Sequence, residues 1–77
     1  MAPIKIFKEV KIFCTCNPNE KQRIMTEINS LFHMKYTCVE SGKGFWIHGE
    51  NYAHNVPRLL VFLFNHGVSF TDYSTFK

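Results

Sequence analysis

At Asn17 the chain switches its hydrophobic period from two residues to between three and four, and no other feature narrows its folds so far. From Ile4 to Cys16, the residues Ile4, Ile6, Val10, Ile12, Cys14 and Cys16 share one parity. Lys5, Phe7, Glu9, Lys11, Phe13 and Thr15 share the other. Alternation of this kind marks a strand with one covered face, and Lys8 alone breaks the apolar set. The strand begins loosely and becomes regular from Val10. Asn17-Pro18-Asn19-Glu20 then starts a helix. Asn is a favoured cap, Pro suits the first helical position, and Glu three residues after the cap completes a capping box. Ile24, Ile28, Leu31 and Phe32 recur at helical spacing, while Lys21, Arg23 and Glu27 fall off that stripe. This predicts a helix ending near His33 or Met34.

Further along, Tyr36–Glu40 and Phe45–His48 flank Ser41-Gly42-Lys43-Gly44, which predicts a β-hairpin. The polar stretch Glu50–Asn55 reads as a loop. Val56–Gly67 has an early Pro57, a terminal Gly67 and Asn55 as a cap, with Val68 placed to supply the apolar contact of a glycine-ended helix. A strand competes for Leu59–Phe64, followed by a turn at Asn65-His66-Gly67; the end signals favour the helix. Val68–Tyr73 alternates again as a last strand. Strand, helix, strand, strand, helix, strand over one domain, residues 1–77, predicts an α+β fold. It is the ferredoxin-like βαββαβ sandwich, an antiparallel sheet with two helices on one face and the other face open.

With 77 residues there is room for one core, and a chain this short buries only roughly 60% of its unfolded surface. A content of 45% hydrophobic against 19% charged residues excludes disorder as the default. Eight Phe, three Tyr and one Trp exceed what so small a core needs, so some aromatics are expected at the surface. The net charge of +3 permits an acidic partner without demanding one. The longest apolar run, Leu59–Phe64, is far short of the ~20 residues of a membrane span. Lys5, Lys8 and Glu9 interrupt the start, which has no apolar leader core. A cytoplasmic protein with no membrane partner is expected. In that setting the three cysteines read as reduced thiols, an odd count with Cys14 and Cys16 too close to pair.

If the helices cover the Ile/Val/Cys parity of the first strand, Phe7, Lys11 and Phe13 lie on the open face with Lys5 and Thr15. The third strand adds either Trp46 and His48 or Phe45 and Ile47. The last adds either Ser69, Thr71 and Tyr73 or Val68 and Phe70; pattern alone leaves both choices open. An open sheet with rings and lysines suits single-stranded nucleic acid, bases stacking on rings and phosphates meeting ammonium groups. Ile12-Phe13-Cys14-Thr15-Cys16-Asn17 resembles the first-strand motif of the RNA-recognition-motif family, with Phe13 at its stacking position. Lys43-Gly44-Phe45 resembles the opening of that family's third-strand motif. The open face and this resemblance together give single-stranded RNA or DNA binding through Lys5, Phe7, Lys11, Phe13, Lys43, Phe45 and Trp46 as an expectation. The resemblance itself implies Phe13 and Phe45 on the stacking face, while Trp46 departs from its pattern.

The second helix points to a different partner. Val56, Leu59, Leu60 and Leu63 suffice as a core stripe, so Val61, Phe62 and Phe64 are surplus to it. Surplus apolar surface of this kind marks docking on another protein, on a nucleoprotein, or on a second copy of the chain. The expected function is a small non-enzymatic regulator or inhibitor that occludes a site on a larger assembly, the build of inhibitors that viruses deploy.

Chemistry is not expected. Cys14 and Cys16 have strand spacing, not the two-to-four-residue turn spacing of a zinc site, so no metal is predicted. Cys16 precedes a helix N-terminus, which would lower a thiol's pKa, but no base is evident beside it. Gly42 and Gly44 lie in a hairpin and not before a helix, so they make no phosphate loop. No cofactor is implied.

Overall fold

The computed structural model describes residues 6–31 and 36–76. Expectations resting on Ile4, Lys5, Phe32, His33 and Met34, including the end of the first helix, lie outside the described residues. The elements run β1 (Phe7–Thr15), α1 (Pro18–Leu31), β2 (Thr37–Ser41), β3 (Gly44–Tyr52), a 3-10 turn (Ala53–Asn55), α2 (Val56–Asn65), β4 (Ser69–Asp72) and β5 (Thr75–Phe76). The fold is α+β, two helices with a five-stranded antiparallel sheet ordered β2-β3-β1-β4, in which β5 also pairs with β1.

The start of α1 and the end of α2 follow from local chemistry. Asn17 Oδ1 accepts the Asn19 amide at 3.1 Å and the Asn17 carbonyl accepts the Glu20 amide at 2.8 Å, so the cap is made. The Glu20 carboxylate pairs with Arg23 at 3.6 Å. α2 ends on a glycine in the left-handed region, Gly67 with φ 72°. The Val68 amide reaches back to the Leu63 carbonyl at 3.0 Å and the Gly67 amide to Phe64 at 3.1 Å. Val68 and Leu63 are both buried, which supplies the apolar contact of that ending. Leu59–Phe64 is therefore helix, and the strand alternative is excluded.

The core is a single cluster. It joins Val10, Ile12 and Cys14 of β1 and Phe45 and Ile47 of β3 with Ile24 and Ile28 of α1 and Val56, Leu59 and Leu63 of α2. Each large side chain buried there contributes about 1.5–3 kcal/mol. Of the described residues of the α1 stripe, Ile24 and Ile28 are buried, whereas Leu31 is 59% exposed.

A second departure lies at Glu50–Asn55, expected as a loop. Glu50, Asn51 and Tyr52 continue β3, paired with Glu9, Lys8 and Phe7, and only Ala53–Asn55 leave the sheet. The cause is Asn51, a polar side chain only 1% exposed. Its Nδ2 donates to the Tyr36 hydroxyl at 2.6 Å, and its Oδ1 accepts the Tyr52 amide at 2.8 Å and Asn55 Nδ2 at 3.0 Å. Burial of an amide is tolerable when its polar atoms are satisfied in this way. Asn55 is thereby diverted from capping α2, which has no side-chain cap.

β4 and β5 are one strand interrupted at Tyr73-Ser74. The Tyr73 amide donates to the Lys11 carbonyl at 2.8 Å, but the Lys11 amide donates to Ser74 Oγ at 3.1 Å. The Ser74 amide in turn donates to Asp72 Oδ1 at 2.9 Å. A hydroxyl here takes the place of a backbone carbonyl in the ladder. Lys8, the residue that broke the alternation of β1, lies opposite Phe76 with its ammonium 4.7 Å from the ring centre.

Candidate functional site

Strand register fixes which side chains share the open face, because directly opposed residues point the same way. Phe13 is opposite Trp46 and Thr71, and Val39 of β2 lies beyond Trp46. One level down, Lys11 is opposite His48, with Thr37 beyond it and Tyr73 on the other side. One level up, Thr15 is opposite Ser69. Below Lys11 come Glu9, Glu50 and Thr75, and below these Phe7 and Tyr52.

The two choices left open by pattern are thus decided. Trp46 and His48 face outward, whereas Ile47 is buried and Phe45 is only 3% exposed. Ser69, Thr71 and Tyr73 likewise share the open side, while Val68 is buried. Phe45, which the family resemblance puts on the stacking face, is a core residue. Its register partner is Cys14, an inward-facing residue of β1, so the third strand is set one residue away from the family's pattern.

The upper half of the face is built round Trp46. The Phe13 ring meets it edge-on with centres 5.0 Å apart, Tyr73 lies 5.5 Å away, and His48 6.1 Å away. Trp46 and Tyr73 come from opposite sides of β1 and lean together over it. The Lys11 ammonium sits 5.8 Å from the Trp46 ring centre, within reach of a cation–π attraction. Gly44 makes room for this cluster: a Cβ there would come within 2.8 Å of Phe13 Cζ and 2.3 Å of the Cys14 carbonyl oxygen. Phe13 therefore lies across bare backbone. A second aromatic group, Phe7 stacked on Tyr52 at 4.6 Å and Tyr52 on His54 at 5.5 Å, occupies the lower end. Tyr52 and His54 were hidden by the loop reading of that stretch. Lys43 stands exposed at the tip of the β2–β3 turn, beside the upper end.

On the helix side, Val61 is 58% and Phe64 75% exposed. Phe62 departs from them: it packs against the core and sets its ring 4.1 Å from His66. Val61 follows Leu59 by two residues and precedes Leu63 by two, which turns it away from the sheet. Phe64 borders a shallow cleft of about 510 Å³ shared with Gly67, Val68, Ser69 and Phe70.

Burial disfavours the thiolate form at Cys14 and Cys16. Burial pushes the Cys14 thiol up to about 12, with the neighbouring Cys16 and Cys38 thiols adding to it. Burial also raises Cys16, reinforced by Glu20 and opposed by Lys21. A hollow of about 140 Å³ beside Cys16 is crossed by the Lys21–Glu40 ion pair. Among the described residues, no three His, Cys, Asp or Glu side chains converge in a metal-binding arrangement. No helix among them is long and apolar enough to cross a membrane. No protein-family model, curated protein or solved structure matches the chain.

Proposed function

We propose that this is a non-enzymatic binding domain, a regulator or inhibitor that occupies a site on a larger protein or nucleoprotein partner through the outer face of α2. The exposure of Phe64 carries the reading. A phenylalanine three-quarters in water, next to Val61 and beside an apolar-edged cleft, adds nothing to the core and offers an anchor of the kind that dominates docking energetics. The well-made end of α2 holds it in place before any partner arrives, which lowers the ordering cost of association. The test is a pull-down from cells that contain the partner, with and without nuclease. Loss of a captured protein on Phe64→Asp, with circular dichroism unchanged, supports the reading; unaltered capture removes it.

A second reading is favoured by the Trp46 cluster: single-stranded nucleic acid on the open face, bases stacking on Phe13, Trp46 and Tyr73 beside the Lys11 ammonium. The two surfaces lie on opposite sides of the sheet, so one nucleoprotein could engage both. Trp46→Ala or Phe13→Ala would then weaken oligonucleotide binding by about 1–3 kcal/mol. Absence of binding to mixed single-stranded pools at low salt removes this reading.

The frame we propose for both is ferredoxin-like. The order β2-β3-β1-β4, read from its other edge, runs β4-β1-β3-β2, and every adjacent pair is antiparallel. Buried residues of both helices in one cluster with β1 and β3 support the same frame. Amide contacts across Ile12–Asp72 and Cys38–Ile47 in solution would test it.

A further inference from the structure

We propose that the chain pairs with a second copy of itself along the free edge of β4, antiparallel about a two-fold axis at Phe70. The Tyr73 amide donates to the Lys11 carbonyl. Backbone groups alternate in direction along a strand, so Thr71 and Ser69 also turn theirs toward β1. The amide and carbonyl of Phe70 and Asp72 therefore point the other way, off the sheet. The trans peptide that joins Val68 to Ser69 turns the Val68 carbonyl outward as well. Among the described residues, β4 pairs with β1 alone. A row of backbone groups like this is a template for another extended strand.

A second feature lies on the same flank. Phe64 is exposed, and it lines a shallow cleft with Gly67, Val68, Ser69 and Phe70 at the start of β4. The occupant of this flank must bring backbone groups in register and an apolar side chain beside Phe70. The same edge of another copy brings both. An isologous pairing of this kind also closes on itself, without leading to an open fibre.

The register follows from the groups available. With the axis at Phe70, each Phe70 amide meets the Phe70 carbonyl of the other copy, and each Asp72 amide meets the other Val68 carbonyl. The Val68 amide, already bonded to the Leu63 carbonyl, is not needed. Both Phe70 side chains then stand together at the clefts, beside the Phe64 rings. An axis at Asp72 sets carboxylate against carboxylate, which weakens a sheet. An axis at Thr71 sets Asp72 opposite Phe70 and its charge at the apolar cleft. An axis at Ser69 calls on the Val68 amide that Leu63 already holds. The opposite edge of the sheet, β2, is guarded by the Lys21–Glu40 ion pair. Self-pairing goes beyond docking on a larger partner and competes with it for Phe64.

The experiment starts from the wild-type chain. Sedimentation equilibrium from about 10 μM to about 1 mM should show monomer passing to dimer, as mass action requires of so small an interface. Over that range exchange of the Phe70 and Asp72 amides should slow about tenfold, while the Thr71 and Tyr73 amides, bonded to β1, stay protected throughout. In a mixture of labelled and unlabelled chains, Ser69 Hα should contact Thr71 Hα of the other copy, the close pair of this register. Asp72→Pro removes an outward amide but spares the β1 ladder, and should leave the chain monomeric with native circular dichroism. Phe64→Asp should weaken the dimer about tenfold. A monomer at the highest concentration overturns the pairing, as does a dimer whose Phe70 and Asp72 amides exchange freely. Protection of Cys38 and Glu40 instead assigns the dimer to β2 and overturns it too. Should Asp72→Pro unfold the chain, the exchange and contact measurements on the wild type decide alone.

Discussion

The Phe13 ring lies over Gly44 so closely that a Cβ on that glycine would sit 2.8 Å from Cζ. The contact couples the geometry of the β2–β3 hairpin to the aromatic cluster across the strand. It also gives Gly44 a reason to be glycine that does not involve turn conformation, unlike Gly42 at the turn itself, whose φ is 55°.

Gly44→Ala should therefore act at a distance. Both the Cys14 carbonyl and the Phe13 ring would have to give way, an overpacking that costs about 1–3 kcal/mol. Because Trp46 is the single tryptophan, a shift of its emission alongside the lowered urea midpoint would report displacement of Phe13. Unchanged stability and emission would count against the contact.

Asn51 offers a cleaner stability test. Asn51→Ala leaves the Tyr36 hydroxyl without its amide donor and should cost about 1–3 kcal/mol by chemical denaturation. Tyr36→Phe in the same background should recover part of that loss, a coupling visible in a double-mutant cycle. Strict additivity would mean that the two side chains do not interact.

Alkali should unfold the chain through its buried acids. Cys14 is raised to about 12 and Tyr36 is raised above its ordinary value, both chiefly by burial, so the fold keeps protons that the unfolded chain releases. Stability is full below the unfolded thiol's range near pH 9 and falls as pH climbs toward 12. Each such group contributes up to about 1.4 kcal/mol per pH unit. Urea midpoints at pH 7, 9 and 10.5 should fall less steeply for Cys14→Val than for the wild type.

The two phenylalanines of α2 should separate. Phe64→Asp should change stability by no more than about 0.5 kcal/mol, as expected for so exposed a position. Phe62→Asp should lower the melting temperature markedly, because it pushes a charge against the core. Equal losses would mean that Phe64 is also packed in solution.

Much of this architecture was legible because its signals are local. Asn17-Pro18 marks the start of α1, Gly67-Val68 marks the end of α2, and the even residues of β1 mark the covered face. Two features were not legible. Phe45-Trp46-Ile47-His48 is apolar on both parities, so only pairing with β1 reveals that Trp46 faces outward. The end of β3 was hidden because Asn51 looks like a loop residue; its burial depends on Tyr36 and Asn55, which no short-range pattern connects to it. Of the residues proposed for stacking, Phe13 and Trp46 are brought together on one face, and Phe45 is replaced there by Tyr73.

The position of β1 also governs when the domain can assemble during synthesis. Its neighbours β4 and β5 lie about sixty residues downstream, joined through contacts such as Lys11 with Ser74. A nascent chain emerging from the ribosome presents β1 before β4 and β5, and one side of that strand stays unpaired until residue 76 has followed. Until then a β-rich segment with free backbone groups must wait, and contacts this far apart in sequence form slowly. Slowing translation over the codons for residues 67–76 should therefore lengthen the exposure of β1 to chaperones, whereas slowing it over α1 should not.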